Sequence, residues 1–233
     1  MDTNNDFEII NDIEKQLLKD IDQSWYSFLK KERNKEYYHN LIEKLTSSYQ
    51  KTNIYPDLYD ILKPMKIISK AEVKVVIIGQ DPYHTPLVAD GLAFSSKQNK
   101  IPPSLKNIFK EIKSDLNIVN ESPDLTSWAK QGVFLINSVL SVEENKAKSH
   151  HKLGWSDFVI NLIKDLDKNI QLIFVLWGND AQKYEKYLNN AIVIKGVHPS
   201  PLARGGFFGG KYFSKINDIL KQQNKLPIDW RTY

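Results

Sequence analysis

The sequence predicts an α/β fold, with a central, mainly parallel four-stranded sheet flanked by helices. Four short apolar runs carry that expectation: 73–78, 133–136, 170–176 and 191–197. Each is rich in β-branched residues, too short for a helix, and hydrophobic nearly throughout, as strands buried on both faces must be. Amphipathic helical stretches lie between them, and strand–helix alternation of this kind favours parallel pairing.

The elements follow in order. Residues 1–63 read as largely helical, since Ile9, Ile13, Leu17 and Leu18 recur at helical spacing, as do Tyr38, Leu41, Ile42 and Leu45. Pro56 and Pro64 then interrupt the pattern. After the first strand, 104–116 sets Leu105, Ile108, Phe109 and Ile112 on one helix face. Before the third, 156–166 opens at Ser156, which reads as the N-cap, and buries Val159, Ile160, Leu162 and Ile163.

Polar residues follow every run. The first ends in Gly79-Gln80-Asp81-Pro82-Tyr83-His84, and the second in Asn137-Ser138. The third delivers Trp177-Gly178-Asn179-Asp180, and the fourth His198-Pro199-Ser200-Pro201-Leu202. The carboxyl ends of parallel strands share one edge, and ligands bind in the crevice outside it. An acid, two histidines, an amide and several aromatics therefore converge on one rim.

Composition limits the chemistry available there. The chain of 233 residues has no cysteine, which excludes disulfides, thiolate metal sites and a cysteine nucleophile. Its five histidines include no helical zinc spacing, so a mechanism without metal or cofactor is expected. A formal charge of +4 permits nucleic-acid binding without demanding it. No run is long and apolar enough to span a membrane. The acidic, polar start is unlike a targeting signal, so a cytoplasmic protein is expected.

At the rim the sequence resembles family-1 uracil-DNA glycosylases. The matching pieces are 79–84, Gly91-Leu92-Ala93-Phe94-Ser95, Ile101-Pro102-Pro103-Ser104-Leu105, 128–137, Leu153-Gly154-Trp155, 198–202 and Gly206-Phe207-Phe208-Gly209. They fall in register from about Trp25 to Trp230. The resemblance implies one three-layer domain over 1–233, with 1–63 packing on the sheet core. It also implies hydrolysis of the N-glycosidic bond of uracil in DNA after the nucleotide is flipped from the stack.

Several of the roles carried over have a plainer alternative. Asp81 would stabilise the sugar cation and orient water, though before Pro82 it could be a turn residue. His198 would donate to uracil O2 as a neutral imidazole, or be a satisfied core histidine. Asn137 would read the uracil edge, donating to O4 and accepting from N3–H, or close an Asx-turn. Phe94 would stack on the base, Tyr83 would exclude the thymine methyl, and Gln80 would touch the base through its backbone. His84 would hold the water or brace the loop. Leu202 would be the wedge filling the vacated stack, or a buried loop leucine. Pro103, Ser104, Gly178, Asn179 and Ser200 would grip phosphates, with Arg204 and Lys211 adding attraction that salt weakens.

The partners implied are single- or double-stranded DNA containing uracil, and, at family level, a DNA-mimicking inhibitor protein; a monomer is expected. The sequence departs from the family at 85–90, at Asn179 where serine is usual, and at Ala203 after the wedge. These departures touch the grip on water and phosphate, not the carboxylate. A broader glycosylase, a catalytically dead DNA-binding protein and a nucleotide-cofactor protein are the rival readings. Tyr83 with Asn137, Asp81 with His198, and the lack of Gly-x-Gly-x-x-Gly after the first strand speak against them in turn.

Overall fold

A computed structural model describes residues 3–169, 171–203 and 206–233. The chain opens with helices α1 (Thr3–Leu17), α2 (Tyr26–Arg33) and α3 (Glu36–Tyr49), then a short strand β1 (Ile54–Tyr55) and helix α4 (Lys63–Ile67). Strand β2 (Val75–Gly79) is followed by α5 (Pro103–Leu116), α6 (Thr126–Ala129), β3 (Val133–Asn137) and the two-residue β4 (Val142–Glu143). Helix α7 (Trp155–Leu166), β5 (Ile173–Trp177), α8 (Gly178–Gln182), β6 (Ile192–Gly196) and α9 (Tyr212–Gln222) complete it.

The four main strands lie in the order β3-β2-β5-β6. All three pairings are parallel, with Gly79 opposite Asn137 and Trp177 opposite Gly196. β1 and β4 form a separate antiparallel pair. Side chains alternate across the pleat. Val75, Ile77, Val133, Leu135, Ile173 and Val175 pack with α5, α6 and α9 through Ile108, Ile112, Trp128, Phe213 and Ile216. Val76, Ile78, Phe134, Ile136, Phe174 and Leu176 pack with the N-terminal helices and α7 through Trp25, Leu41, Leu45, Phe158 and Leu162. Each such burial contributes about 1.5–3 kcal/mol, so the sheet is clamped from both faces and its strand ends are held rigidly. The expected parallel sheet between helical layers is what forms.

Three details differ from the sequence expectation. The first strand starts at Val75 because Ser69 and Glu72 form a capping box that keeps Lys70–Glu72 wound as a single 3-10 turn. The fourth is not buried on both faces: along β6, Ile192 and Lys195 are exposed, although β3, the other edge strand, is buried throughout. Ser156 is not the N-cap of α7, which begins at Trp155 behind Gly154. Gly154 holds φ +120°, a conformation glycine adopts readily, and its carbonyl accepts from the Asp157 and Phe158 amides.

Candidate active site

The carboxyl ends of the four strands meet on one edge, as parallel pairing requires. The loop after β2 supplies Asp81 and Tyr83, the loop before α5 supplies Phe94, and the last residue of β3 is Asn137. Together with Pro82, Leu92 and Leu140 they line one narrow pocket.

Asn137 reaches that pocket because of the residue opposite it. A Cβ on Gly79 would fall 2.2 Å from Asn137 Oδ1, so only glycine lets the amide lie across β2. The amide is thereby buried, so an unmatched polar edge on a ligand would be costly. Tyr83 donates its hydroxyl to the Phe94 carbonyl at 3.1 Å, and burial pushes its phenol above the ordinary range. It is a fixed, neutral wall. Phe94 takes φ +67°, and its ring sits edge-on to Trp177 at 5.9 Å and tilted to His198 at 6.1 Å.

His198 enters from the loop after β6. Its Nδ1 accepts the Ser200 amide at 3.0 Å, which leaves the proton of the neutral ring on Nε2. Burial holds the imidazole below its usual range, opposed by the charge of Asp180. The ring is thus a neutral donor fixed in one tautomer. Gly178 packs against it so closely that a Cβ there would lie 2.8 Å from His198 Cβ. The Asn107 amide of α5 donates to the Pro199 carbonyl at 2.8 Å and ties this loop to the helix whose first turn carries Pro103 and Ser104.

Beside the pocket, Gly178, Asn179, His198, Ser200 and Leu202 line a second depression. Leu202 stands on the single 3-10 turn Pro201–Ala203 and is 90% exposed, the most exposed of the large apolar side chains among the described residues. The alternative of a buried loop leucine is excluded. An apolar side chain offered to solvent beside a pocket is suited to insertion between stacked bases. Arg204 lies outside the described residues. Lys211 stands at the N-cap of α9, with its amide bonded to buried Glu111.

Gln80 and His84 tie the loop after β2 to its surroundings. Gln80 turns its side chain to Asp180 at 2.9 Å, while its carbonyl accepts from Val139 N and Ser138 Oγ. It lines the grooves beside the pocket rather than the pocket itself. His84 makes no bond to Asp81; its carbonyl accepts from the Asn145 amide and its Nδ1 is buried without a partner. The histidine on the carboxylate is instead His151, whose Nε2 lies 2.7 Å from Asp81 Oδ1. It was missed because it comes from a loop 70 residues away; the only signal was its place just before Leu153-Gly154-Trp155. Asp90, in the unusual stretch 85–90, is buried and accepts from Leu92 N at 3.0 Å and Ser95 Oγ at 2.6 Å. That stretch braces the turn leading to Phe94.

Known proteins carry the same arrangement of chain. A family model described as the uracil DNA glycosylase superfamily matches residues 65–221. A uracil-DNA glycosylase of Campylobacter jejuni is 48% identical over 217 residues, covering 91% of this chain and 94% of its own. One from Clostridium perfringens is 47% identical over 218 residues, covering 91% and 97%. Among solved structures, mimivirus uracil-DNA glycosylase superposes with a TM-score of 0.86 at 30% identity, covering 97% of this chain and 93% of its own. A mimivirus variant solved in complex with UGI gives 0.84 at 31%, covering 90% and 88%. On this match of family model, relatives and fold, the chain belongs to the uracil-DNA glycosylase superfamily.

Proposed function

We propose that the protein removes uracil from single- and double-stranded DNA by hydrolysing its N-glycosidic bond, releasing free uracil and leaving an abasic site. The observation that carries this reading is the pairing, in one narrow pocket, of the Asp81 carboxylate with the buried Asn137 amide, with neutral His198 beside them.

As the bond from C1′ to the base lengthens, positive charge grows on the sugar and negative charge on uracil. Asp81 stabilises the first and orients the water that adds to C1′. The Nε2–H of His198 donates to O2 of the departing anion, a fixed dipole aimed where charge develops. No carboxylic acid is needed to protonate the leaving group, unlike most sugar hydrolases. Asn137 accepts from N3–H and donates to O4, a pattern that cytosine reverses. Phe94 stacks on the ring and Tyr83 leaves no room for a methyl at C5. Leu202 fills the space the base vacates, which offsets part of the few kcal/mol that flipping costs.

Phosphate contacts fall to the first turn of α5 at Pro103 and Ser104, to Gly178 and Asn179, and to Ser200. Action as a monomer is part of the same proposal. A DNA-mimicking inhibitor protein is a further proposed partner, on the strength of the relative solved with UGI.

The reading is tested with single-stranded and duplex oligonucleotides carrying one U, T or C, incubated without metal and then cleaved with alkali. Strand breaks at U alone are expected. An absence of breaks in every substrate would overturn the enzymatic reading.

A further inference from the structure

We propose that His151 is a positioning residue for the Asp81 carboxylate, an inference that rests on the role given to Asp81 above. The pairing of His151 Nε2 with Asp81 Oδ1 at 2.7 Å joins the loop after β2 to the loop between β4 and α7. The Asp81 side chain is 15% exposed and that of His151 37%, so the contact lies at the mouth of the site and is shielded on the carboxylate side.

A carboxylate needs such a tether. The terminal torsion of aspartate is broad, so Asp81 can turn either oxygen toward the sugar unless something holds one of them. His84, the histidine of its own loop, does not do so. Held by the Nε2–H of the imidazole, Oδ1 is fixed and Oδ2 is left for the water. Reaction demands a near-attack geometry, and a displacement of about 1 Å costs about 100-fold in rate.

The segment that carries the imidazole is anchored beside the site. It lines a groove with Gln80, Lys148, Asp180 and Lys183, and Gln80 adjoins Asp81 in sequence while binding Asp180. The Ser141 hydroxyl accepts from Trp155 Nε1 and reaches the neighbouring His150 Nδ1, both at 2.7 Å, which anchors the backbone from which His151 projects. His151 therefore acts on the reaction through Asp81 and touches neither base nor sugar.

The test compares His151→Ala, His151→Gln, Asp81→Asn and the double variant Asp81→Asn/His151→Ala. Single-turnover uracil release and affinity for uracil-DNA are measured for each. His151→Ala is expected to slow release about 10- to 100-fold with affinity within twofold of the parent. His151→Gln, whose amide N–H reaches a similar point, should recover to within about threefold. The double variant should be no slower than Asp81→Asn alone. Release by His151→Ala at the parent rate, a loss confined to affinity, or an equal further loss on the Asp81→Asn background would each overturn the positioning role and leave the role of Asp81 standing. An Asp81→Asn variant as fast as the parent would instead remove the reading on which it rests. His151 is exposed, so folding should survive both substitutions, and unchanged far-UV circular dichroism and melting temperature check that it does.

Discussion

Asn137 and Leu202 show how much a single residue draws from where the fold places it. Asn137 is an amide with two donors and an acceptor, and burial turns it into a selector, because a mismatched edge leaves groups unpaired away from water. Sites built this way discriminate by about 10⁴–10⁵, more than an apolar pocket reaches. Asn137→Asp, which accepts where the amide donated, is expected to admit cytosine and weaken uracil excision. Release of free base from matched C and U oligonucleotides measures it, and an unchanged ratio would refute the edge-reading role. Leu202 works by exposure instead. Truncating it with Leu202→Ala should slow release from duplex DNA by about tenfold or more and from single strands far less, because only the duplex demands that a stacked, paired base be displaced. Equal losses on both substrates would argue against a wedge.

At the scale of elements, the site depends on strand register. β2 and β3 pair so that Gly79 faces Asn137, and the missing side chain is the space the amide occupies. Gly79→Ala is expected to displace the amide and lower uracil excision at least tenfold, while overpacking costs about 1–3 kcal/mol of stability. Single-turnover rates and urea unfolding of the same variant separate the two effects; full activity would show that the amide can shift without harm. Caps play a similar part in placing α9. Glu111 accepts from the Gly209 and Lys211 amides, and Asp115 from those of Phe213 and Ser214, so two carboxylates of α5 satisfy the helix start. The loop between His198 and α9 is thereby fixed at both ends by α5, through Asn107 at one and Glu111 with Asp115 at the other.

For the whole molecule, stability should depend on pH through His150. Its ring is buried, and desolvation pushes its pKa down to about 4 from an ordinary 6.5, against a weaker opposing pull from Glu143. Between those values the unfolded chain binds the proton and the folded chain does not. The associated stability is therefore complete above about pH 6.5 and is lost as pH falls toward 4, by about 3 kcal/mol. Urea unfolding from pH 7.5 to 4 should show this fall in the parent and a shallower one in His150→Asn. Identical pH dependence in both would overturn it.

The sheet was legible because burial on two faces writes itself as continuous hydrophobicity, and parallel pairing then gathers every strand end on one edge. That logic brought Asp81, Asn137 and His198 together from three distant segments. It failed at β6, where an apolar run that stays partly exposed reads like a buried one. It also failed at Ser156, since cap preference cannot see that Gly154, at φ +120°, already starts the helix. The identity of the chemical groups on the rim was thus determined by the sequence alone. Their working state was decided by tertiary structure: the tautomer of His198, the exposure of Leu202, the berth of Asn137 over Gly79 and the grip of His151 on Asp81. The last two are contacts between atoms far apart in the chain, and such contacts exist only once packing has closed the loops between them, whereas the first two follow from how the loop after β6 settles on that frame.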